Sequence, residues 1–170
     1  MLSIAESRQR ILLLPLLFLA LLFGLCASNA QAAKRASNFQ VQDLNGKSVK
    51  LSDYRGKVVY LDFWASWCRP CVKSFPWMQK MQSRHGNKGL VILAVNLDDN
   101  KTDAWNFLKE HRSNFKILHD PRGSIAEKYQ VNAMPSSFLI DRQGRIQKVH
   151  YGFKENTRAQ KEKEIIALLK

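Results

Sequence analysis

Residues Val58-Val59-Tyr60-Leu61-Asp62-Phe63-Trp64 form a β-rich run that is apolar on both faces. A strand of that kind is buried from both sides, so it needs a sheet with other elements layered above and below it. Directly behind it come Trp67-Cys68-Arg69-Pro70-Cys71 and a helical pattern from Ser66 to Arg84. Pro70 falls in the first turn of that helix, where a missing N–H does little harm, whereas Pro76 in its interior is expected to kink it.

The same alternation of strand and helix continues on either side. Phe39 to Leu51 reads as an amino-terminal β-hairpin turning at Asn45-Gly46, two residues that tolerate positive φ. Leu90 to Leu97 reads as a second buried strand, Thr102 to His111 as a helix with Trp105, Phe107 and Leu108 as its apolar positions, Phe115 to His119 as a short strand and Ser124 to Tyr129 as a short helix. Ser136 to Ile140 pairs as a hairpin with Arg145 to Gly152 across Asp141-Arg142-Gln143-Gly144, and Thr157 to Lys170 closes the chain as a helix whose Ile165, Ile166 and Leu169 share one face. The pattern is that of one mixed α/β domain over residues 33–170, a central mixed sheet flanked by helices.

Residues 1–32 read differently. Arg8 and Arg10 precede an apolar run from Ile11 to Leu25, followed by the small-residue exit Ala27-Ser28-Asn29-Ala30-Gln31-Ala32. This is the pattern of a secretory signal peptide, cleaved after Ala32 or kept as a membrane anchor. Cys26 is preceded by Phe23-Gly24-Leu25, whose bulky Phe23 and Leu25 suit lipid attachment poorly.

Export reframes charge and cysteine alike. The 27 Lys and Arg against 14 Asp and Glu, a formal net charge of +13, would ordinarily suggest nucleic acid. In an exported chain with scattered basic residues the reading is no nucleic acid, but a solvated basic surface compatible with an anionic membrane surface. Beyond the leader only Cys68 and Cys71 remain, in an oxidising compartment, the periplasm, with no other cysteine to pair with.

Cys68 would lie at a helix amino terminus, where unpaired N–H groups and the helix dipole favour a negative sulfur. Cys71 lies three residues on, on the same face and within reach for a disulfide. Cys68 then reads as the exposed nucleophile and Cys71 as the resolving thiol, with Arg69 a positive charge beside the pair. Asp62 is an acid in the middle of an apolar strand, where burial would raise its pKa and let it exchange protons with Cys71. Structural zinc would need a second ligand pair, and the four His, at positions 85, 111, 119 and 150, are isolated, so no metal site is expected.

Asp62-Phe63-Trp64-Ala65-Ser66-Trp67-Cys68-Arg69-Pro70-Cys71 resembles the active-site strand and turn of the thioredoxin superfamily. With Leu51-Ser52-Asp53-Tyr54-Arg55-Gly56-Lys57, Phe75-Pro76 and Ala133-Met134-Pro135 before Phe138-Leu139-Ile140-Asp141, residues 38–170 resemble the exported TlpA/ResA-type thioredoxin-like thiol–disulfide oxidoreductases. The resemblance implies a thioredoxin-like fold with a central insertion, an attacking Cys68, a resolving Cys71, and a cis-proline at Pro135. It also implies substrate contacts from Trp67, Arg69, Pro70, Met134 and Pro135. Two positions depart from it. Ser74 stands where many of these proteins carry Glu, and Ala94 where thioredoxin carries a Lys partner for the buried Asp.

The expected function is exchange of disulfides with protein substrates, in the reducing direction, without a cofactor. By resemblance the clients include apocytochrome c or copper-site cysteines, and the electrons come from a membrane donor of the DsbD/CcdA type. The same residues also fit two other readings, an oxidase of secreted thiols and a copper-binding chaperone using Cys68 and Cys71 as soft ligands.

Overall fold

The computed structural model describes residues 33–170, and the leader read at 1–32 lies outside the described residues. Strand β3 (Val58–Trp64) is buried at all seven positions. It pairs in parallel with β4 (Leu90–Asn96) and antiparallel with β6 (Ser136–Ile140), with Asp62 opposite Ala94 on one side and Ser137 on the other. Beyond β4 lie β5 (Lys116–His119), then the hairpin β1 (Gln40–Asp43) and β2 (Ser48–Lys50), while β7 (Ile146–Tyr151) forms the other edge. The seven strands run in the order β2-β1-β5-β4-β3-β6-β7, a mixed sheet.

Alternation along β3 assigns its residues to two dry layers. Val58, Tyr60 and Trp64 pack with α1 (Arg69–His85), α2 (Lys101–Glu110) and α4 (Arg158–Leu169) through Phe75, Trp77, Met78, Phe107 and Ile165. Val59, Leu61 and Phe63 pack with Phe39, Leu118 and Phe138, and with α3 (Ser124–Lys128) through Ile125 and Ala126.

Several local expectations are corrected. The main helix begins at Arg69, three residues later than its pattern predicts, because Ala65 to Cys68 form a turn closed by the Cys68 N–H on the Ala65 carbonyl at 3.1 Å. It then runs on through Pro76 to His85. The β1–β2 turn is wider than a two-residue connection. Asp43 Oδ1 accepts from the N–H groups of Asn45 and Lys47, both at 2.9 Å, and Gly46 supplies the positive φ. On α4, Ile165 is buried and Leu169 half-buried, but Ile166 is exposed: one residue on from Ile165 is about 100° around the helix, off the face. Trp105 is likewise exposed on α2, while Phe107 is buried.

Candidate active site

The chain leaves β3 at Ala65 and must reverse into α1 within four residues. A carboxylate holds that turn. Asp98 accepts from the Ser66 N–H (3.1 and 3.0 Å to its two oxygens) and from Ser66 Oγ at 3.0 Å, and is itself fixed by Asn96 Nδ2 at 2.7 Å. Asp98 is buried with every oxygen engaged, so the loop before Cys68 has a rigid support. The Trp64 carbonyl, accepting from the Leu97 N–H at 2.9 Å, ties the ends of β3 and β4 together beneath it.

Cys68 is the N-cap of α1 and Cys71 lies in its first turn, with Pro70 between them and no acidic residue there. The two sulfurs form a disulfide, with Cα atoms 5.3 Å apart. Both Cys residues are nearly covered, Cys71 wholly and Cys68 4% exposed, so the expected exposed nucleophile is recessed in the oxidised chain. Trp67 beside it in sequence is by contrast 70% exposed.

A cleft of about 450 Å³ opens over Cys68 between Trp67, Arg69, Leu97 and the 131–134 loop, which brings Met134 to its wall. The Met134–Pro135 peptide is cis. Ser136 Oγ donates to the Ala133 carbonyl at 2.6 Å, and the Gly152 N–H to the Pro135 carbonyl at 2.7 Å, which pins this loop against β7. The fold thus gathers Trp67, Cys68, Arg69, Pro70 and Met134 around one opening, with Pro135 behind it.

Asp62 belongs to the same layer as the disulfide. By alternation it points with Tyr60 and Trp64 into the layer that holds Cys71, and it is 2% exposed. Its Oδ2 has no hydrogen-bond partner among the described residues. Burial pushes its pKa up to about 8, against the pull of the Lys161 ammonium. Lys161 itself, from α4, is 4% exposed, and burial lowers its pKa to about 8 despite the opposing attraction of Asp62 and Glu164. The two opposite charges, one on β3 and one on α4, each favour the other's ionised form against the cost of burial. Tyr60, next on that face, shares a 2.7 Å hydrogen bond with Ser137 and is held un-ionised by burial and by Asp62.

Sequence reasoning missed Lys161 and Asp98. Lys161 sits in the charged run Arg158-Ala159-Gln160-Lys161-Glu162-Lys163, which gives no sign of which residue turns inward. Its one signal was spacing: Lys161 is four residues before Ile165, on the buried stripe. Asp98 had a clearer one, a carboxylate just past a buried strand, at the end of the sheet that bears the turn. Ser74 spends its hydroxyl locally, donating to the Cys71 carbonyl at 2.9 Å.

The sequence profile described as AhpC/TSA family matches residues 32–149. The thiol-disulfide oxidoreductase ResA of Bacillus thuringiensis subsp. konkukian is 39% identical over 116 residues, 68% of this chain and 67% of that protein. ResA of Bacillus subtilis is 39% identical over 117 residues, 69% of this chain and 65% of that one. Among solved structures, a putative thiol:disulfide interchange protein DsbE from Chlorobium tepidum matches with a TM-score of 0.79 at 45% identity. That match covers 81% of this chain and 97% of that one.

Proposed function

The chain belongs to the AhpC/TSA family and is a thioredoxin-fold thiol–disulfide oxidoreductase of the ResA/DsbE kind, and from that premise we propose that it works outside the cytoplasm as a reductant of protein disulfides. The observation that carries the reading is the Cys68–Cys71 pair set at a helix amino terminus, at the base of a cleft walled by exposed Trp67 and by Met134. In the reduced enzyme the Cys68 thiolate attacks a client disulfide, forming a mixed disulfide and releasing one client thiolate. Cys71 then gives its proton to Asp62 and attacks Cys68, releasing the second client thiolate and closing the enzyme disulfide. Trp67, Arg69, Pro70, Met134 and Pro135 hold the client segment across the opening.

In this proposal residues 1–32 are a signal peptide or inner-membrane anchor and 33–170 the working domain, facing the periplasm. Apocytochrome c or copper-site cysteines are the clients, and a membrane donor of the DsbD/CcdA type restores the dithiol. A second reading is favoured by one feature. Arg69 in a first turn with no acid stabilises the thiolate, which would make the protein an oxidant of secreted thiols.

The reduction potential separates the two. A value near or below about −250 mV identifies a reductant, and one near about −120 mV an oxidant. Replacing Cys71 with Ala removes the resolving thiol, and the expected result is a trapped mixed disulfide between Cys68 and its client. No adduct in cells carrying that variant overturns the exchange mechanism; Cys68→Ala, which lacks the attacking sulfur, is the control expected to give none.

A further inference from the structure

A proton that Asp62 takes from Cys71 has to leave the core. The route over the disulfide is narrow, because Cys71 is fully buried and Cys68 nearly so, and a client bound by mixed disulfide covers that opening further. The opposite route runs through α4. Among the described residues Lys161 is the lysine buried in the core, and it forms no ion pair within 4 Å there. A buried, unpaired ammonium is costly, so its retention in the same layer as Asp62 calls for a use.

Lys161 also lines a second cleft, of about 360 Å³, between β7 and α4, together with His150, Tyr151, Thr157, Gln160 and Glu164. None of these residues lines the cleft over Cys68. At its wall His150 Nε2 and Glu164 Oε2 share a 2.8 Å hydrogen bond. Lys161 therefore lines an open cleft and belongs to the helix packed on β3, the strand that carries Asp62, whose Oδ2 has no partner among the described residues. The titratable groups near this pair are Tyr60 from β3, Glu164 from α4 and His150 from β7, with Lys148 of β7 beside His150, and Cys71 of α1 lies in the same buried layer.

We propose that Lys161 is the proton carrier for Asp62, and that the β7–α4 cleft walled by His150 and Glu164 is where that proton reaches solvent, apart from the opening that clients use. This rests on the reading of Asp62 as the acid–base partner of Cys71. The proton count closes. Cys71 Sγ loses its proton to the Asp62 carboxylate. Lys161 gives one proton to solvent in the cleft and then, as the amine, takes the proton from Asp62. The sum is one proton moved from thiol to solvent, while the Cys68–client bond breaks and the Cys68–Cys71 bond forms. Burial and Asp62 set the two groups to titrate near one another, which keeps the transfer close to isoenergetic. The arrangement lets the resolving step proceed beneath a docked client. Lys161 acts through Asp62 and is a positioning residue.

The test uses the reduced full-length chain carrying Cys26→Ser, so that Cys68 and Cys71 are its only thiols, mixed with an aromatic disulfide whose two thiolates are coloured. The first released thiolate reports attack by Cys68 and the second resolution by Cys71. Lys161→Met is expected to leave the first phase unchanged and slow the second at least about tenfold near neutral pH. Lys161→Arg keeps the charge and nearly the length but cannot give up its proton, so its second phase is expected to be equally slow. With Lys161→Ala, added methylamine is expected to restore the second phase in proportion to its concentration, a response that a purely structural role would not give. A wild-type second phase in Lys161→Arg, or no amine rescue of Lys161→Ala, overturns the carrier. Asp62→Asn separates the two levels. If it leaves the second phase unchanged, the Asp62 reading fails; if it is slow while Lys161→Met is fast, only the Lys161 inference fails.

Discussion

The two faces of β3 are equally dry and do different work. On one face Val59, Leu61 and Phe63 pack in a cluster of aliphatic and aromatic side chains. Phe63 lies 5.7 Å from Tyr129 and 5.8 Å from Phe138 between ring centres. On the other, Tyr60 and Trp64 flank a carboxyl with an unpartnered oxygen, in the layer that also buries the disulfide and, from α4, Lys161. Exposure does not tell them apart, since Phe63 is 0% and Asp62 2% exposed. What differs is whether burial is spent on packing or on shifting a titration. The apolar face gains the transfer free energy of its side chains, whereas the Asp62 face gives up some stability to hold a proton in the physiological range.

The largest effect that would test this division is on the apolar face. Phe63→Ala is expected to cost about 3–5 kcal/mol, read as the urea midpoint at fixed pH, because it opens a cavity among aromatic rings. The disulfide potential of the folded fraction is expected to stay where it was. A shifted potential would mean that the two faces are not separate.

This division was half legible in the sequence. The apolar run at 58–64 identified β3 as central, and period two then gave Asp62 its side, so the Asp62 face could be assigned from seven consecutive residues. The Cys68–Cys71 turn was visible for the same reason, being a short local pattern whose chemistry travels with its spacing, whereas Met134–Pro135 stood out only through the family resemblance. Lys161 was not. It lies 99 positions after Asp62, and only the packing of α4 on β3 brings it in. The same helix shows why pattern alone misjudged it. Ile165, Ile166 and Leu169 were expected to form its buried face, yet the stripe that turns inward holds Lys161 and Ile165, with Ile166 left in solvent.

The next effect is a matter of pH. Asp62 has its folded pKa raised to about 8, above its unfolded value, so the stability it confers is full below the unfolded pKa and is lost as pH rises towards 8. Lys161 has its pKa lowered to about 8, so between there and its unfolded value the folded state binds fewer protons and stability recovers. The oxidised chain is therefore expected to weaken from about pH 4 to pH 8, by at most about 1.4 kcal/mol per pH unit for one proton, and to regain stability above. Asp62→Asn is expected to flatten the fall, as measured by urea unfolding across that range. A wild-type profile that is flat from pH 4 to 8 would show that Asp62 titrates as an ordinary carboxylate.

Asp98 sharpens the comparison at the end of the strand. It is as buried as Asp62 but accepts three hydrogen bonds from Ser66 and one from Asn96, so its charge is met where that of Asp62 is not. Asp98→Ala is expected to cost about 1–3 kcal/mol at neutral pH, through the stranded Ser66 and Asn96 donors, and to loosen the turn before Cys68. Thermal unfolding of the oxidised variant measures the first, and the rate of Cys68 alkylation in the reduced variant the second. Lost stability with an unchanged alkylation rate would make Asp98 a support of the sheet alone.

The smallest expected effect on stability is at Trp67. Three tryptophans lie in or beside the Asp62 face. Trp64 and Trp77 are buried at 0% and 5% exposure, whereas Trp67 is 70% exposed beside the recessed disulfide. A large apolar ring held in water gives the fold little, so Trp67→Ala is expected to change stability by no more than about 0.5 kcal/mol. In the proposed mechanism its contribution is the contact it offers a client. Losing one well-packed aromatic contact of about 1.4 kcal/mol raises KM about tenfold for a protein disulfide. A small aromatic disulfide, which reaches Cys68 without spanning the cleft, is expected to keep its rate. If both substrates suffer alike, Trp67 acts on Cys68 itself. If stability falls by several kcal/mol instead, the dry layer extends to Trp67, and the boundary drawn here between core and docking surface is in the wrong place.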